Sequence, residues 1–551
     1  MPTIEISLDD LKSLVGDKLP TTKDELDHLL HNVKGELDDL EGDKLTIALG
    51  DSNRPELWSA EGLARELKGF LGVERGCKEY KSESTDLKVY ANLKLEKIRP
   101  FIACAVVKNV NLNDVIIKEL MQFQEKIDAS YGRNRKKTSI GLYNFDLLKF
   151  PLKYTLTKPH ENAFVPLNFV QKFAPHEILK QHPKGQEYGN ILKGLEEYPI
   201  LIDNDGKVLS LPPVINSADL GKIDENTKNI LIEVTGTDSN AVNNILTVFA
   251  TALAERGGKI YTVTIDYPGR KQDITPHLET TMWKISVEQI NKLLGTKFDN
   301  LDITKFLQKA RYSISGDEKI LSVKVPCYRK DIMHSVDIIE DAAIGYGLNS
   351  FEAESLVLPT AGKLSDIEKA SNKMREICIG LGAQEVLNFT LTNKDNLFAK
   401  MGTKVENVVE IENPVSLTYS VLRNKLLSSL MEFLSQNTTK EFPQMIFEVG
   451  DIIYVDTKQD ECSGTERRLA FAISNSSVNF TEAKQNLDAI FRTLGKNYDI
   501  REAEHDSFIV GRCAKIFVDN EDIGIIGEIH PAVLEKWGLE MPVVAFEFKV
   551  I

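Results

Sequence analysis

The segment from Val325 to Phe351 reads VPCYRKDIMHSVDIIEDAAIGYGLNSF and combines an extended start with a strongly patterned helix. Pro326 favours extended backbone, and the helical pattern that follows ends near Gly347. At about 100° per residue, one side of this helix is apolar. It contains Val336, Ile338, Ile339, Ala342, Ala343 and Tyr346. We expect this side to pack against the core of a small domain.

The other side of the same helix is acidic. Asp337, Glu340 and Asp341 lie within about one turn, and Asp331, just upstream, can reach the same patch. Carboxylates at this spacing repel one another unless solvent or a cation screens them. Four hard oxygen donors suit Mg²⁺, which usually keeps several of its waters. The alternative is that these acids only solvate an exposed face and complement the positive end of the helix dipole.

This segment resembles the signature of the phenylalanyl-tRNA synthetase β-subunit family, in its shorter archaeal and eukaryotic form. The matching residues are Tyr328, Arg329, Asp331, Ile332, His334, Asp337, Ile338, Glu340, Asp341, Ala342, Tyr346, Gly347 and Asn349. The resemblance implies that Mg²⁺ is bound at Asp331, Asp337, Glu340 and Asp341. All four positions carry an acid in this chain.

Length and composition indicate a multidomain protein of the cytoplasm. A chain of 551 residues is too long for one core, so three or four domains are expected. The six cysteines form no CxxC pair, which favours a reducing compartment over a disulfide framework or a zinc knuckle. The first residues are acidic rather than a signal peptide, and nothing approaches the roughly 20 apolar residues of a membrane span. We therefore expect a cytoplasmic protein without a membrane partner.

The formal net charge of -15 excludes RNA binding through a global basic field. Contact with RNA needs a local patch or a partner. The best local patch is the segment SYGRNRKKTSIG, with Tyr131, Arg133, Arg135, Lys136 and Lys137. Its alternative interpretation is a solvated loop between a helix and a strand.

The pattern along the chain predicts an α+β multidomain fold with four domains. They are a small α/β domain over residues 1–80, an α+β domain over 85–265, a small helix-rich, winged-helix-like domain over 275–350, and an antiparallel sheet with helices over 358–551. The acidic helix belongs to the third domain and argues against a DNA-binding face, because phosphates would meet carboxylates. The second domain resembles the family's tRNA-editing domain (B3/B4-like), the third its B5 domain, and the fourth a class II synthetase fold.

Within the second domain, YPILIDNDGKVLSLPP predicts a β-hairpin. The family discriminates phenylalanine from tyrosine, and an apolar pocket rejects an added hydroxyl by only about a hundredfold, so a hydrolytic site becomes necessary. The resemblance implies Leu201 against the ring or the terminal ribose, Ser210 as a hydrogen-bonding partner, and Glu233 as acceptor for the phenol. The alternatives are a hairpin core leucine, a solvent-facing serine and an ordinary, partly buried acid. No GxSxG motif surrounds Ser210, which favours attack by a positioned water over a serine nucleophile.

The last domain resembles a class II catalytic fold that no longer catalyses. The match is carried by Asn413, Pro414, Arg423, Phe447, Glu448, Gly450, Gly527, Glu528, His530 and Pro531. An active site of this class needs an arginine and an acid on one hairpin and a late arginine for the γ-phosphate. Arg423 and Glu448 lie on different predicted elements, and the segment GIIGEIHPAVLEKWGLEMPVVAFEF contains no arginine. We expect this domain to act as an interface for a separate catalytic chain.

The resemblance implies the β subunit of phenylalanine–tRNA ligase, a heterotetramer of two α and two β chains. Phenylalanine and ATP would then bind to the α subunit, which charges the tRNA for phenylalanine. This chain would supply assembly, tRNA binding and hydrolysis of mischarged tyrosyl-tRNA, with no catalytic residue for aminoacylation. The alternatives are a non-catalytic RNA-binding or scaffold homologue and a stand-alone hydrolase of mischarged tRNA. Four domains in the family's order favour the first interpretation.

Overall fold

The computed structural model describes residues 2–50 and 53–551. They form two compact units, one that ends at Glu354 and one that begins at Ser355. The predicted α+β multidomain fold is confirmed in both units. The two domain boundaries predicted inside the first unit stay predictions. Among the helices of the described ranges, none has both the length and the apolar character needed to cross a bilayer.

The first unit begins with a small three-stranded sheet in the order β1-β3-β2. Its elements are β1 (Thr3–Ser7), α1 (Leu8–Val15), α2 (Lys23–Leu30), β2 (Glu36–Glu41), β3 (Lys44–Ala48) and α3 (Ala60–Phe70). Ser59 caps α3, since its side chain accepts a hydrogen bond from the Gly62 amide.

A mixed sheet of 11 strands forms the centre of the first unit, and nine of them follow the order β11-β10-β9-β8-β5-β13-β6-β12-β7. The strands are β4 (Ser82–Glu83), β5 (Lys88–Ala91), β6 (Phe101–Lys108), β7 (Thr138–Asn144), β8 (Leu152–Thr157), β9 (Tyr198–Ile202), β10 (Val208–Leu211), β11 (Ile215–Asn216), β12 (Asn229–Gly236), β13 (Lys259–Asp266) and β14 (Asp273–Thr275). The helices are α4 (Asp114–Ala129), α5 (Pro175–Gln181), α6 (Pro183–Tyr188) and α7 (Ser239–Glu255). Strands β9 and β10 confirm the predicted hairpin.

The first unit ends with a small helix-rich part whose sheet has the order β15-β17-β16. Its elements are β15 (Thr281–Ser286), α8 (Val287–Leu294), α9 (Asn300–Lys309), β16 (Ser313–Gly316), β17 (Ile320–Val325) and α10 (Ser335–Tyr346). Helix α10 is the predicted acidic helix, and it ends at Gly347 as expected. The predicted apolar side is wrong at Val336, which is 43% exposed, whereas Asp341 is buried. The buried side of the helix therefore includes Asp341 instead of Val336. Asp341 can be buried because its carboxylate accepts a hydrogen bond from Arg329.

The second unit is built on a seven-stranded sheet in the order β18-β21-β22-β26-β25-β24-β23. The strands are β18 (Gln384–Glu385), β19 (Leu391–Thr392), β20 (Val421–Leu422), β21 (Gln444–Val455), β22 (Ser463–Ser474), β23 (Asp499–Glu502), β24 (Phe508–Val518), β25 (Glu521–Ile529) and β26 (Val543–Lys549), and the helices are α11 (Asp366–Gly380), α12 (Leu427–Gln436), α13 (Phe480–Leu494) and α14 (Pro531–Trp537). Successive residues of β22 pack on opposite sides of the sheet. Phe471 lies in the core formed with α11 and α13, and Ala470 lies in the core formed with α12 and α14. The predicted antiparallel sheet with helices is therefore confirmed, although β18 pairs parallel to β21.

Candidate functional site

A cavity of about 390 Å³ lies beside the central sheet of the first unit. Ser210 on β10 and Glu233 on β12 both line it, so the structure brings two of the three predicted editing residues together. Apolar walls come from side chains on α4, β7 and the segment after β10. They include Met121, Ile140, Leu142, Pro212, Pro213 and Ile215. This combination of apolar walls with a few polar groups is typical of a small-molecule site.

Two polar atoms in this cavity lack partners. Ser210 and Glu233 are each only 2% exposed. Within the part of the chain that the structure describes, neither Ser210 Oγ nor Glu233 Oε1 has a hydrogen-bond partner. Burying an unpaired polar atom costs about 1–3 kcal/mol, so such atoms need an explanation. A ligand that supplies the missing partners provides one.

The second oxygen of Glu233 is occupied. Glu233 Oε2 accepts a hydrogen bond of 2.8 Å from the hydroxyl of Tyr143 on β7. Burial raises the pKa of Glu233 to about 7, against the lowering effects of the Tyr143 hydrogen bond and of the Arg99 charge. The carboxyl group therefore changes its charge close to neutral pH.

Leu201 does not line the cavity. It lies on β9 directly opposite Ser210, and it is fully buried in the core with Tyr143 and Leu209. The register of β9 and β10 is irregular between Val208 and Ser210, so the two faces are not in simple alternation here, and Leu201 packs with Leu209 rather than beside the Ser210 hydroxyl. Leu201 supports the strand that carries Ser210, and its predicted contact with the ring or ribose stays a prediction.

Arg135 was predicted to belong to an RNA-binding patch, but it is a buried wall of the cavity. It forms an ion pair of 2.9 Å with Asp128, donates to the Val214 carbonyl oxygen at 2.9 Å, and lies 4.3 Å from the centre of the Tyr188 ring. Of the other basic residues in that segment, Lys137 pairs with Asp238, whereas Arg133 and Lys136 are exposed. No local pattern in this basic run distinguishes the buried arginine from the exposed ones.

The four predicted metal ligands all line one small cavity of about 30 Å³. Arg329 joins two of them, since its guanidinium donates to both oxygens of Asp331 at 2.9 and 2.7 Å and to Asp341 Oδ2 at 2.7 Å. Although burial raises the pKa of Asp331, the charge and hydrogen bonds of Arg329 lower it to about 2. The cation that screens Asp331 and Asp341 from each other is therefore a side chain of the protein.

The other two acids also have partners. Asp337 Oδ2 accepts from the backbone amides of Met333 and His334 at 2.8 Å each, which fixes the start of α10. Glu340 Oε1 lies 2.8 Å from Lys34 Nζ. No three His, Cys, Asp or Glu side chains of the described ranges are arranged around one metal position.

The residues nevertheless fit a hydrated divalent cation in charge and in donor type. Five carboxylates and three cationic side chains line the cavity, which leaves a surplus of two negative charges. The bonds described for Asp337, Glu340 and Asp341 use one carboxylate oxygen of each. Mg²⁺ keeps several waters and takes few protein ligands, so it does not need all four acids.

Comparison with known proteins places the chain in a family. The model of the "Phenylalanyl tRNA synthetase beta chain CLM domain" matches residues 355–550, and that of the "tRNA synthetase B5 domain" matches residues 283–348. The phenylalanine–tRNA ligase β subunits of Thermococcus sibiricus and Pyrococcus furiosus are each 43% identical to it over 99% of this chain, which covers 98% and 99% of theirs. The chain belongs to the phenylalanine–tRNA ligase β-subunit family. The resemblance predicted from the sequence is confirmed.

A solved structure of the same family covers most of the first unit. The N-terminal fragment of the phenylalanyl-tRNA synthetase β subunit from Pyrococcus horikoshii aligns with a TM-score of 0.61 at 38% identity. The alignment includes 63% of this chain and 100% of the fragment. The fold of this β-subunit family therefore extends over the part of the chain that carries the cavity with Ser210 and Glu233.

In the second unit of this family member, Arg423 and Arg468 are paired with acids of the same unit. Arg423 follows β20 and Glu448 lies on β21, and they form a buried ion pair of 2.7 Å although they are on different elements. Glu547 on β26 lies 3.4 Å from Arg468 and accepts from two backbone amides at the start of α12. These two arginines are thus neutralised within the chain instead of facing an open phosphate site.

Proposed function

We propose that this phenylalanine–tRNA ligase β subunit hydrolyses mischarged tyrosyl-tRNA in the cavity between Ser210 and Glu233. One observation carries the proposal: Ser210 Oγ and Glu233 Oε1 are buried, lack partners among the residues that the structure describes, and border the same cavity. Tyrosine carries a phenolic hydroxyl that can donate to an ionised carboxylate. Phenylalanine lacks that donor.

The selectivity for tyrosine over phenylalanine follows from the free-energy cost of leaving Glu233 Oε1 without a hydrogen-bond donor. A phenol bound here satisfies Glu233 Oε1, whereas a phenylalanine ring leaves it buried without a partner. A site built to bind a hydroxyl rejects the analogue without it by about 10⁴–10⁵-fold. The apolar residues Pro212, Pro213 and Ile215, which follow Ser210 along the chain and line the cavity, supply a surface against which either ring packs.

The chemistry needs a water molecule rather than a serine nucleophile. His182 also lines the cavity, but its Nδ1 accepts from the Lys184 amide at 3.1 Å and its Nε2 lies 3.0 Å from the Leu167 carbonyl oxygen. Both ring nitrogens are therefore engaged, and the ring cannot take a proton from Ser210. Water attacks the ester carbonyl, the bond to the ribose oxygen breaks, and that oxygen gains a proton. Ser210 Oγ positions the ester or the water by a hydrogen bond.

We further propose that the chain assembles with a catalytic α subunit as two α and two β chains. The α subunit then binds ATP and phenylalanine and charges the tRNA. An apolar surface on the second unit supports this assembly: Leu387, Phe389 and Leu417 are 82%, 75% and 82% exposed, and the rings of Phe389 and Tyr419 are 5.8 Å apart. Large exposed apolar side chains that lie together are typical of an interface.

We also propose that Mg²⁺ binds in the small acidic cavity beside α10. The surplus of two negative charges supports this site, and Asp337, Glu340 and Asp341 would hold the ion directly or through water. Asp331 is left out of this ligand set because Arg329 uses both of its oxygens. The ion would neutralise the acidic side of α10.

The division of labour is tested by purifying the chain with and without its α partner. Phenylalanine charging and tyrosyl-tRNA hydrolysis are then measured for each preparation. We expect charging only when the α subunit is present, and hydrolysis of tyrosyl-tRNA by the complex. Charging by this chain alone would refute the proposal, as would a stable solitary chain that never binds the partner.

A further inference from the structure

A glycine between Tyr143 and Glu233 leaves the space in which their side chains contact each other. Strands β7 and β12 pair antiparallel with Gly141 directly opposite Glu233. Tyr143 lies two residues beyond Gly141, so all three are on the same face of the sheet. A Cβ atom at position 141 would lie 2.3 Å from the Tyr143 oxygen and 2.7 Å from Glu233 Oε2. The pair therefore forms only because residue 141 has no side chain.

The hydrogen bond of this pair leaves one carboxylate oxygen for a ligand. Tyr143 is fully buried, and its hydroxyl donates to Glu233 Oε2 at 2.8 Å, with Asn216 Oδ1 farther away at 3.3 Å. The hydroxyl has a single proton, so the shorter bond takes it. Glu233 Oε1 is then the oxygen without a partner among the described residues.

We propose that Tyr143 is the positioning residue of the hydrolytic site, which holds Glu233 so that Oε1 accepts the phenol of the misplaced tyrosine. This inference rests on the proposed function. The terminal torsion of a glutamate has a broad, roughly two-fold profile, so an unheld carboxylate samples many orientations. Fixing it in advance removes an ordering cost that would otherwise be incurred on binding.

The same hydrogen bond sets the pH range in which Glu233 can accept. It lowers the pKa of Glu233, so its loss raises that pKa further above the ordinary value. The other groups around Glu233 are Arg99, whose charge lowers the pKa, Thr235, whose hydrogen bond also lowers it, and Asp128 on α4, whose charge raises it. Cys104 on β6 and Tyr154 on β8 are buried and neutral. Without Tyr143, the ionised acceptor disappears at a higher pH.

Tyr143→Phe in the complete complex tests this role. Hydrolysis of tyrosyl-tRNA is measured as KM and kcat from about pH 5.5 to about pH 8.5. We expect KM to rise about tenfold, the effect of one lost hydrogen bond to a charged group, and the acid limb of the profile to move to higher pH. Kinetics identical to those of the unaltered complex would overturn the inference.

Tyr154→Phe is the matched control. Tyr154 is also fully buried in the same core, and its hydroxyl donates to the Arg99 carbonyl oxygen at 2.9 Å rather than to Glu233. We expect this variant to keep the KM and the pH profile of the unaltered complex. Equal losses in both variants would mean that Tyr143 acts only through general packing, which also overturns the inference.

A double variant tests whether Tyr143 acts through Glu233. In a Glu233→Gln background there is no ionised carboxylate to hold, so adding Tyr143→Phe is expected to cause no further shift of the pH profile. An additional shift would contradict a role through Glu233. If the unaltered complex hydrolyses no tyrosyl-tRNA, the proposed function itself fails; if it does, and Tyr143→Phe is silent, only this inference fails.

Discussion

Buried polar groups are arranged differently in the two units of this chain. In the first unit, Ser210 and Glu233 face a cavity and each keeps an atom without a partner among the residues that the structure describes. In the second unit, Arg423 and Glu448 bind each other, and Glu547 accepts from backbone amides beside Arg468. One unit has polar atoms available to a ligand, whereas in the other these charges are satisfied internally.

This difference shows why a fold alone does not assign a function. An unpaired buried acceptor is costly and is retained where a ligand completes it. A closed ion pair can be costly to break but offers nothing to an incoming phosphate. The first unit therefore has the properties of a reactive site, and the second those of a structural scaffold.

The largest expected effect comes from breaking the closed pair of the second unit. Arg423→Ala leaves Glu448 buried and unpaired, which we expect to lower the free energy of unfolding by about 3–5 kcal/mol. Hydrogen–deuterium exchange of peptides from β21 and β22 measures this change. Lys394→Ala is the control, because Lys394 and Glu410 are 43% and 57% exposed and their pair should contribute less than about 1 kcal/mol. Equal protection in both variants would show that the buried pair is not structural.

The next effect concerns the open site. Glu233→Gln removes the ionised acceptor, and we expect tyrosyl-tRNA hydrolysis to fall by about a hundredfold. Single-turnover hydrolysis by the complex measures it, with the exposed Glu196→Gln in the same sheet domain as control. If the Glu233→Gln variant hydrolyses tyrosyl-tRNA as fast as the control, Glu233 takes no part in the reaction.

Hydrolysis should also depend on pH. The folded-state pKa of Glu233 is raised to about 7, so the ionised acceptor is present above pH 7 and is lost as the pH falls through that value. We expect the rate to drop about tenfold for each pH unit well below 7. Stability should change in the opposite sense, since a raised carboxyl pKa favours folding as the pH falls toward 4.5. A rate that is flat from about pH 5 to about pH 8 would contradict this assignment.

The smallest effect concerns the acidic cavity. Arg329 pairs with Asp331 and Asp341 there, but not with Asp337 or Glu340. Glu340→Gln together with Asp337→Asn should weaken Mg²⁺ binding several-fold, as measured by titration calorimetry. Lys34→Met should strengthen it, because Lys34 is the cation that pairs with Glu340. Unchanged affinity in both variants would mean that Mg²⁺ does not bind here.

The sequence predicted the elements of both units well, because periodicity and capping are local. The acidic helix and the hairpin that carries Ser210 both formed as expected. Ser210 and Glu233 line one cavity, and their roles in editing stay predictions. These successes depend on patterns within a few turns or strands.

The errors concern side-chain partners that are distant in the sequence. Leu201 faces the core instead of the cavity, and Arg135 is buried against Asp128 and a distant carbonyl group. Arg329 pairs with Asp331 and Asp341, and the spacing of the acids did not indicate that a cation of the protein lies between them. A sequence pattern indicates how many charges are present but not which of them meet in the folded chain.

The central claim is that one unit carries a hydrolytic site and the other only a scaffold. The most direct test compares the unaltered complex with the double variant Ser210→Ala, Glu233→Ala in two assays, tyrosyl-tRNA hydrolysis and charging with phenylalanine. We predict that hydrolysis falls by about a thousandfold while charging is unchanged. Hydrolysis that persists, or charging that falls in parallel, would contradict this account.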